Sequence, residues 1–461
     1  LTLLALPLLM PQLLQLKPAD YKDLSKTLAV MGAEISDHRS GPLGEITVVD
    51  NRQIPFRHAP GMSLSSTSLP PKQLALFIDG NAAGVINQAG RNRTPAYLEN
   101  LTSSLPHHLS NNSKALILGS GGGTAVLQAL HFNTKRIDAV ELNPQLISLL
   151  QHQYRDFSGA LYTRPEVEIY TTEPRAFIEG NNGSYDLIVV NATDAFGSAS
   201  AGLGAQNESY LYTREAIDAY LKHLRPGGIL TFNRRLQLPP RDSLKLAATA
   251  IAVLKSKGIA EPGNHIALIR GWKTFNLIIK AGEFTSDDIA SIRAFCRKHS
   301  FDLAHFPGIQ PEEPNRYNRL NTPQLHLGIS ALLGSSADQF IDNYKFDIRP
   351  VSDDRPYFFH FTKWRTVPEL LRLPSHGGFA QLDWGYWIQI ATLVQAIIAA
   401  QLLILLPLLF LKRSGDPYPS RLRRQTLIYF GLLGFAFMFL EIAFIQKFTL
   451  LLGHPIYAVS T

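Results

Sequence analysis

Between residue 113 and about residue 281, short apolar runs recur along the chain, separated by stretches in which apolar positions return every three to four residues. The runs are 115–118, 137–140, 167–170, 187–190 and 229–232, and the helical period is carried by 144–154 and 213–224. Strands that alternate with helices predict a doubly wound parallel sheet. After Arg241 the pattern gives a further helix and then two apolar runs, 266–270 and 274–279, which read as a closing hairpin.

The flanks follow other patterns. Residues 20–110 read as a β-rich region, with 44–50 and 74–80 as strands and a Ser-, Pro- and Gly-rich loop over 55–71. Residues 283–385 form an accessory region holding a helix over 287–299, a Pro-rich stretch over 306–323, and the run Ser352-Asp353-Asp354-Arg355-Pro356-Tyr357-Phe358-Phe359-His360. From Trp387 to Leu411 there are 25 residues without a formal charge, long enough to span a bilayer. A second apolar stretch, 426–445, is interrupted only by Glu441. Residues 386–461 are therefore expected to hold about two membrane helices, and residues 1–19 read as the tail of a longer membrane segment. Glu441 is a functional candidate, because a charge at membrane depth is costly; packing against a neighbouring helix is the equal alternative.

Composition narrows the function classes. Net charge is +7, but the excess gathers beside the apolar C-terminal stretches, in Lys412, Arg413, Arg421, Arg423 and Arg424. Membrane flanks explain that better than a nucleic-acid groove, so a lipid bilayer is the expected partner and nucleic acid is not. The single cysteine, Cys296, rules out an intrachain disulfide and metal sites built on paired cysteines, and no metal is expected.

The chemistry concentrates at Leu118-Gly119-Ser120-Gly121-Gly122-Gly123-Thr124, where an apolar strand runs into a glycine turn and a helix follows. Such a turn lets backbone approach a ligand closely, and the helix offers free N–H groups. Glu141 closes the next strand, where a carboxylate can accept both hydroxyls of a ribose. The junction Leu224-Arg225-Pro226-Gly227-Gly228 and the closing hairpin favour S-adenosylmethionine over NAD as the nucleotide. The expected fold class is thus α/β, a Rossmann-like sheet of the seven-stranded methyltransferase type covering residues 111–282. Asn191 and Asp194 follow the fourth strand, at the carboxyl edge where ligands bind in such sheets. Asp194 there would hold a cationic amine or act as a general base.

These residues resemble the spermidine synthase (polyamine aminopropyltransferase) family, and more closely its integral-membrane branch. The resemblance runs from about Gly41 to the C-terminus and includes 353–360, 439–446 and Leu452-Gly453-His454-Pro455. It implies a co-substrate, S-adenosylmethionine or its decarboxylated form, held by Gly119, Ser120, Gly121, Gly123, the ribose carboxylate Glu141, and Glu173 on the adenine side. It implies Asp194, Asn191 and Tyr210 as the catalytic set, with Asp194 positioning the acceptor, Asn191 hydrogen-bonding it and Tyr210 lining the pocket. It further implies a small-molecule acceptor such as an amine, and a homodimer.

Three departures stand out. The family's base is an Asp where this chain has Asn191, and an amide cannot take a proton near neutral pH. An amine-binding Asp of the glycine loop is replaced by Gly122, and the segment Tyr-His-Glu reads Tyr97-Leu98-Glu99. The nucleoside half of the site is kept and the diamine half largely lost. Three readings follow: a membrane-bound transferase with unknown acceptor, a methyltransferase, and a non-catalytic nucleotide-binding sensor or transporter. The basic stretch 412–424 favours the cytoplasmic side for itself, which would place the nucleotide domain outside. The cytosolic supply of the co-substrate, with Lys363, Arg365 and Arg372 before the first crossing, favours a cytoplasmic nucleotide domain at a bacterial-type inner or plasma membrane, and this is the orientation adopted.

Overall fold

The computed structural model describes residues 19–91, 93–191, 208–371, 384–406 and 420–452; Asp194 lies outside the described residues. The N-terminal strands β1 (Ala33–Gly41), β2 (Gly44–Asn51), β3 (Gln73–Ile78) and β4 (Asn81–Asn87) form an antiparallel sheet in chain order. Alternation sorts its side chains. On one face Ile46, Val48, Leu74, Leu76 and Ile86 pack with Val126, Leu127 and Leu146 of the following domain. On the other, Val49, Ala75 and Phe77 pack with Leu24 of helix α1 (Asp23–Leu28). The small sheet is thereby laid against the element that follows the glycine turn.

The central sheet comprises β5 (Lys114–Leu118), β6 (Arg136–Glu141), β7 (Val167–Thr171), β8 (Tyr185–Asn191), β9 (Leu224–Arg235), β10 (Ile266–Arg270), β11 (Thr274–Lys280) and β12 (Asp302–His305), in the order β12-β10-β11-β9-β8-β5-β6-β7. The five strands β5 to β9 are mutually parallel, and β11 runs antiparallel between β9 and β10. Residues 115–118 have no exposed surface, as expected for a strand covered on both faces. The order is that of the expected methyltransferase-type sheet with one strand added, β12, pairing antiparallel with β10. Four residues leave little pattern to read; fully buried Asp302 anchors them instead. Its carboxylate accepts from the N–H groups of Arg316 (2.6 Å), Tyr317 (2.7 Å) and Asn318 (2.9 Å) and pairs with Arg270 at 3.2 Å.

Helices α2 (Thr124–His131), α3 (Pro144–Ser148), α4 (Pro174–Gly180), α5 (Arg214–Lys222) and α6 (Asp242–Ser256) link the strands, and α7 (Ser286–His299) and α8 (Gln324–Leu333) follow the hairpin. The helix expected over 144–154 divides into α3 and a wider π turn, Leu149–Gln153. Ile329, Leu332, Phe346, Phe358 and Phe361 share one core with Leu244 and Phe232, so residues 324–361 cover one face of the sheet.

Two helices complete the described chain, α9 (Trp384–Ala400) and α10 (Ser420–Leu452). Their apolar spans, Gly385–Leu403 and Arg424–Ile445, have mean hydropathies of 1.5 and 2.2 and hold no buried residue. Nineteen residues at about 1.5 Å each give roughly the thickness of a hydrocarbon core. Both are long and apolar enough to cross a membrane. Trp364 stacks edge-on with Tyr386 (6.0 Å) and Trp387 (5.0 Å), and His360 with Tyr386 (4.9 Å), fastening the end of the 352–360 run to the start of α9.

Candidate functional site

The carboxyl ends of β5, β6, β8 and β9 bring Gly119, Glu141, Asn191 and Asn233 to one edge of the sheet. The glycine turn is built from backbone: the N–H groups of Gly119 and Ser120 both donate to the Val140 carbonyl (3.0 Å), and Gly123, at φ +86°, opens α2. Only a residue without Cβ holds that φ at little strain, and a Cβ on Gly123 would also overlap Leu161. Glu141 closes the turn. Its Oε2 accepts from Gly121 N–H (2.8 Å) and its Oε1 from Asn143 N–H (3.0 Å). Burial pushes the carboxyl pKa up, and the backbone N–H groups pull against that shift. Each oxygen keeps lone-pair capacity beyond the N–H it accepts, so the pair fits two further hydroxyl donors.

Asn191 lies beside the turn and donates from Nδ2 to the Gly119 carbonyl at 2.9 Å. Ser120, Gly121, Gly122 and Asn191 line a narrow cleft of about 90 Å³, closed on the far side by His58, Pro60 and Val85 of the N-terminal region. Glu173 follows the carboxyl end of β7, where Thr171 pairs with Glu141 and Thr172 N–H donates to the Glu141 carbonyl (3.2 Å); there it is also the N-cap of α4, accepting from Ala176 N–H at 2.6 Å, and burial pushes its pKa up. Tyr210 donates to Glu208 Oε2 at 2.9 Å, and burial with the Glu208 carboxylate pushes its pKa up. Among the described residues, no hydrogen bond ties Glu173 or Tyr210 to the glycine turn. The structure thus gathers Gly119, Ser120, Gly121, Gly123, Glu141 and Asn191, sets Glu173 at the neighbouring strand end of the same edge, ties Tyr210 to Glu208, and does not describe Asp194.

Residues that sequence reasoning passed over support the turn. Asn87, fully buried at the end of β4, donates to Thr124 Oγ1 (3.0 Å) and accepts from Tyr97 Oη and Gln73 Nε2 (2.9 Å each). Gln73 also brackets His58, accepting from its N–H (2.7 Å) and donating to its carbonyl (2.9 Å). Buried Tyr162 donates to Ser120 Oγ at 2.8 Å. Polar side chains inside apolar strands, Gln73 and Asn87, were the available signal. Further out, Asp353 accepts from Thr213 Oγ1 (2.6 Å) and Arg175 (3.2 Å), and Phe358 packs on Tyr212 with ring centres 4.7 Å apart. The 352–360 run therefore braces the segment that leads into α5.

The fold is an α/β domain with a methyltransferase-type sheet, and its glycine turn is closed by a strand-end carboxylate. Residues 94–243 match the spermine/spermidine synthase domain. The chain is similar to the polyamine aminopropyltransferase of Korarchaeum cryptofilum, 26% identical over 29% of this chain and 39% of the relative. It is also similar to that of Nitrosomonas europaea, 28% identical over 32% of this chain and 43% of the relative. The chain thus spans roughly two-fifths of the length of these curated relatives. Among solved structures it resembles a probable spermidine synthase from Corynebacterium glutamicum, with 17% identity, a TM-score of 0.42, and coverage of 63% of this chain and 98% of the other.

Proposed function

We propose that the protein is a membrane-held transferase of the spermidine synthase type that uses S-adenosylmethionine or its decarboxylated form. The observation that carries this reading is the pairing of Glu141 with Gly121 N–H at 2.8 Å, which sets a buried carboxylate against the glycine turn with capacity for a ribose. The acceptor's nucleophile would attack a carbon beside the sulfonium. A carbon–acceptor bond forms, the carbon–sulfur bond breaks with its electron pair left on sulfur, and a proton leaves the acceptor. The protein's part is to orient the acceptor and exclude water. Asn191 cannot take that proton, and Asp194 is the residue we propose for it. Two long apolar helices without a buried residue in their spans support the membrane attachment.

The test is calorimetric titration of the detergent-purified protein with S-adenosylmethionine, its decarboxylated form and methylthioadenosine, wild type against Glu141→Ala. Preference for the decarboxylated form or methylthioadenosine, lost in the variant, supports aminopropyl-type chemistry. Preference for S-adenosylmethionine moves the reading to methyl transfer. Binding of none of the three defeats it. A second reading, nucleotide binding without turnover, is favoured by Asn191 and Gly122; binding without release of methylthioadenosine or S-adenosylhomocysteine would select it.

A further inference from the structure

Next to the narrow cleft lies a groove of about 950 Å³. The two share His58, Pro60, Gly84 and Val85 as a common wall. On β9, Asn233 lines the cleft, and Arg235, two residues on, lines the groove. The groove's floor is apolar: Ala75 and Phe77 from β3, with Met62 and Leu64 from the loop, and Trp272 at the rim, 55% exposed. Its charges are nearly all of one sign. Arg57, Arg235 and Lys273 line it, and among the described residues none of the three makes an ion pair or a side-chain hydrogen bond. Lys26 lines it as well, 4.0 Å from Asp23. Asp23 is the one carboxylate among the described lining residues, and its Oδ2 already accepts from Ala82 N–H at 3.2 Å.

A diamine carries two positive charges at neutral pH and would meet three unpaired cations here. In the cleft itself, it would find an amide at 191 and no side chain at 122 to neutralise it. Unpaired cations over an apolar floor suit the opposite ligand, and their field raises the local concentration of anions. We propose that this groove holds the acceptor, and that the acceptor carries a carboxylate or phosphate beside an apolar body. This deepens the transferase reading above and rests on it for the groove's occupant being the acceptor.

The test is calorimetric titration of the detergent-purified full chain with phenyl phosphate, benzoate and putrescine. At least one anion is expected to bind, more tightly than putrescine, and phenyl phosphate against benzoate separates the two head groups. The double variant Arg57→Glu, Lys273→Glu should weaken that anion about tenfold or more at low salt and less at high salt. Methylthioadenosine affinity should stay within about twofold. Arg297→Glu, an exposed cation on α7, should change neither, which separates the groove from the chain's overall positive charge. The proposal is overturned if neither anion binds, if putrescine binds more tightly than both, or if the double reversal leaves the anion affinity as in wild type. Failure of wild type to bind methylthioadenosine, S-adenosylmethionine and its decarboxylated form alike would instead sink the transferase reading, and the groove's anion preference would be measured independently of it.

Discussion

The Val85 carbonyl of β4 occupies the place that a side chain on Gly122 would take: a Cβ there would overlap the carbonyl oxygen and lie 2.8 Å from its carbon. The obstacle is backbone, which cannot swing aside as a side-chain end can. The space a side chain at 122 would need is therefore filled by β4. Gly122→Ala should lower stability by about 1–3 kcal/mol, the usual range for forcing extra atoms into packed structure. It should also weaken methylthioadenosine, because β4 and the turn must part. Thermal unfolding of the ligand-free protein checks it; a variant that melts with wild type would show that β4 yields freely.

Glu141 carries a pH prediction with two signs. Burial raises its pKa, so the carboxylate protonates at a higher pH than an exposed glutamate, which titrates near about 4.3. Ribose hydroxyls need it ionised. Methylthioadenosine affinity should hold near neutral pH and fall by up to about tenfold per unit once the pH drops through the raised value. This group's effect on ligand-free stability runs the other way. In the window between the unfolded and folded pKa values the folded state binds the proton and the unfolded state does not, so its contribution to stability rises as pH falls. Calorimetry from pH 8 to 4.5 reads the first effect, and Glu141→Gln should flatten it. An affinity flat across that range would remove Glu141 from the ribose site.

The sheet was legible because buried parallel strands write themselves as unbroken apolar runs, and residues 115–118 and 187–190 are cases in point. Glu141 was legible because position alone, the end of the strand after the glycine turn, picks it out. Glu173 stands at the same carboxyl edge, one residue past Thr172, whose N–H donates to the Glu141 carbonyl, and its second duty was harder to read. A carboxylate before Pro174 serves equally as a helix cap, and the hydrogen bond to Ala176 N–H is that cap. What encloses the site could not be read. Val85, Asn87 and His58 reach the turn through tertiary packing of a separate sheet, and the basic groove joins residues 57, 235 and 273 from distant parts of the chain.

His107 is fully buried, stacked on Phe132 with ring centres 4.9 Å apart, and burial holds its pKa down at about 3. It is neutral when folded and binds a proton when unfolded below about 6.5. The unfolded state therefore holds more protons in the window from about 6.5 down to about 3, and stability falls as pH falls across it. Burial depresses the neighbouring His108, His131 and His299 as well, steepening the same slope. His107→Phe keeps the stacked ring and removes one titration. Between pH 6.5 and 5 the variant should lose about 2 kcal/mol less stability than wild type. Denaturant unfolding at the two pH values measures it; equal losses would place the acid sensitivity elsewhere.

The two apolar helices give a prediction that separates charge bias from substrate supply. If Gly385–Leu403 crosses the bilayer once, the nucleotide domain and residues 412–424 lie on opposite sides. Arg413, Arg421, Arg423 and Arg424 favour the cytoplasm for the second, and the cytosolic supply of the proposed co-substrate favours it for the first. We expect the domain to be cytoplasmic, since a nucleotide site without nucleotide does no work, while Lys363 and Arg365 offset the charge bias from the other end of the span. The native thiol does not interfere, because Cys296 is buried and its pKa is pushed well up. A membrane-impermeant maleimide applied to intact cells should label Ser414→Cys and leave Ser256→Cys, exposed at the end of α6, untouched until the membrane is opened. Reversed labelling would put the domain outside and require an extracytoplasmic ligand, and labelling of both on one side would make Gly385–Leu403 a segment that enters and returns.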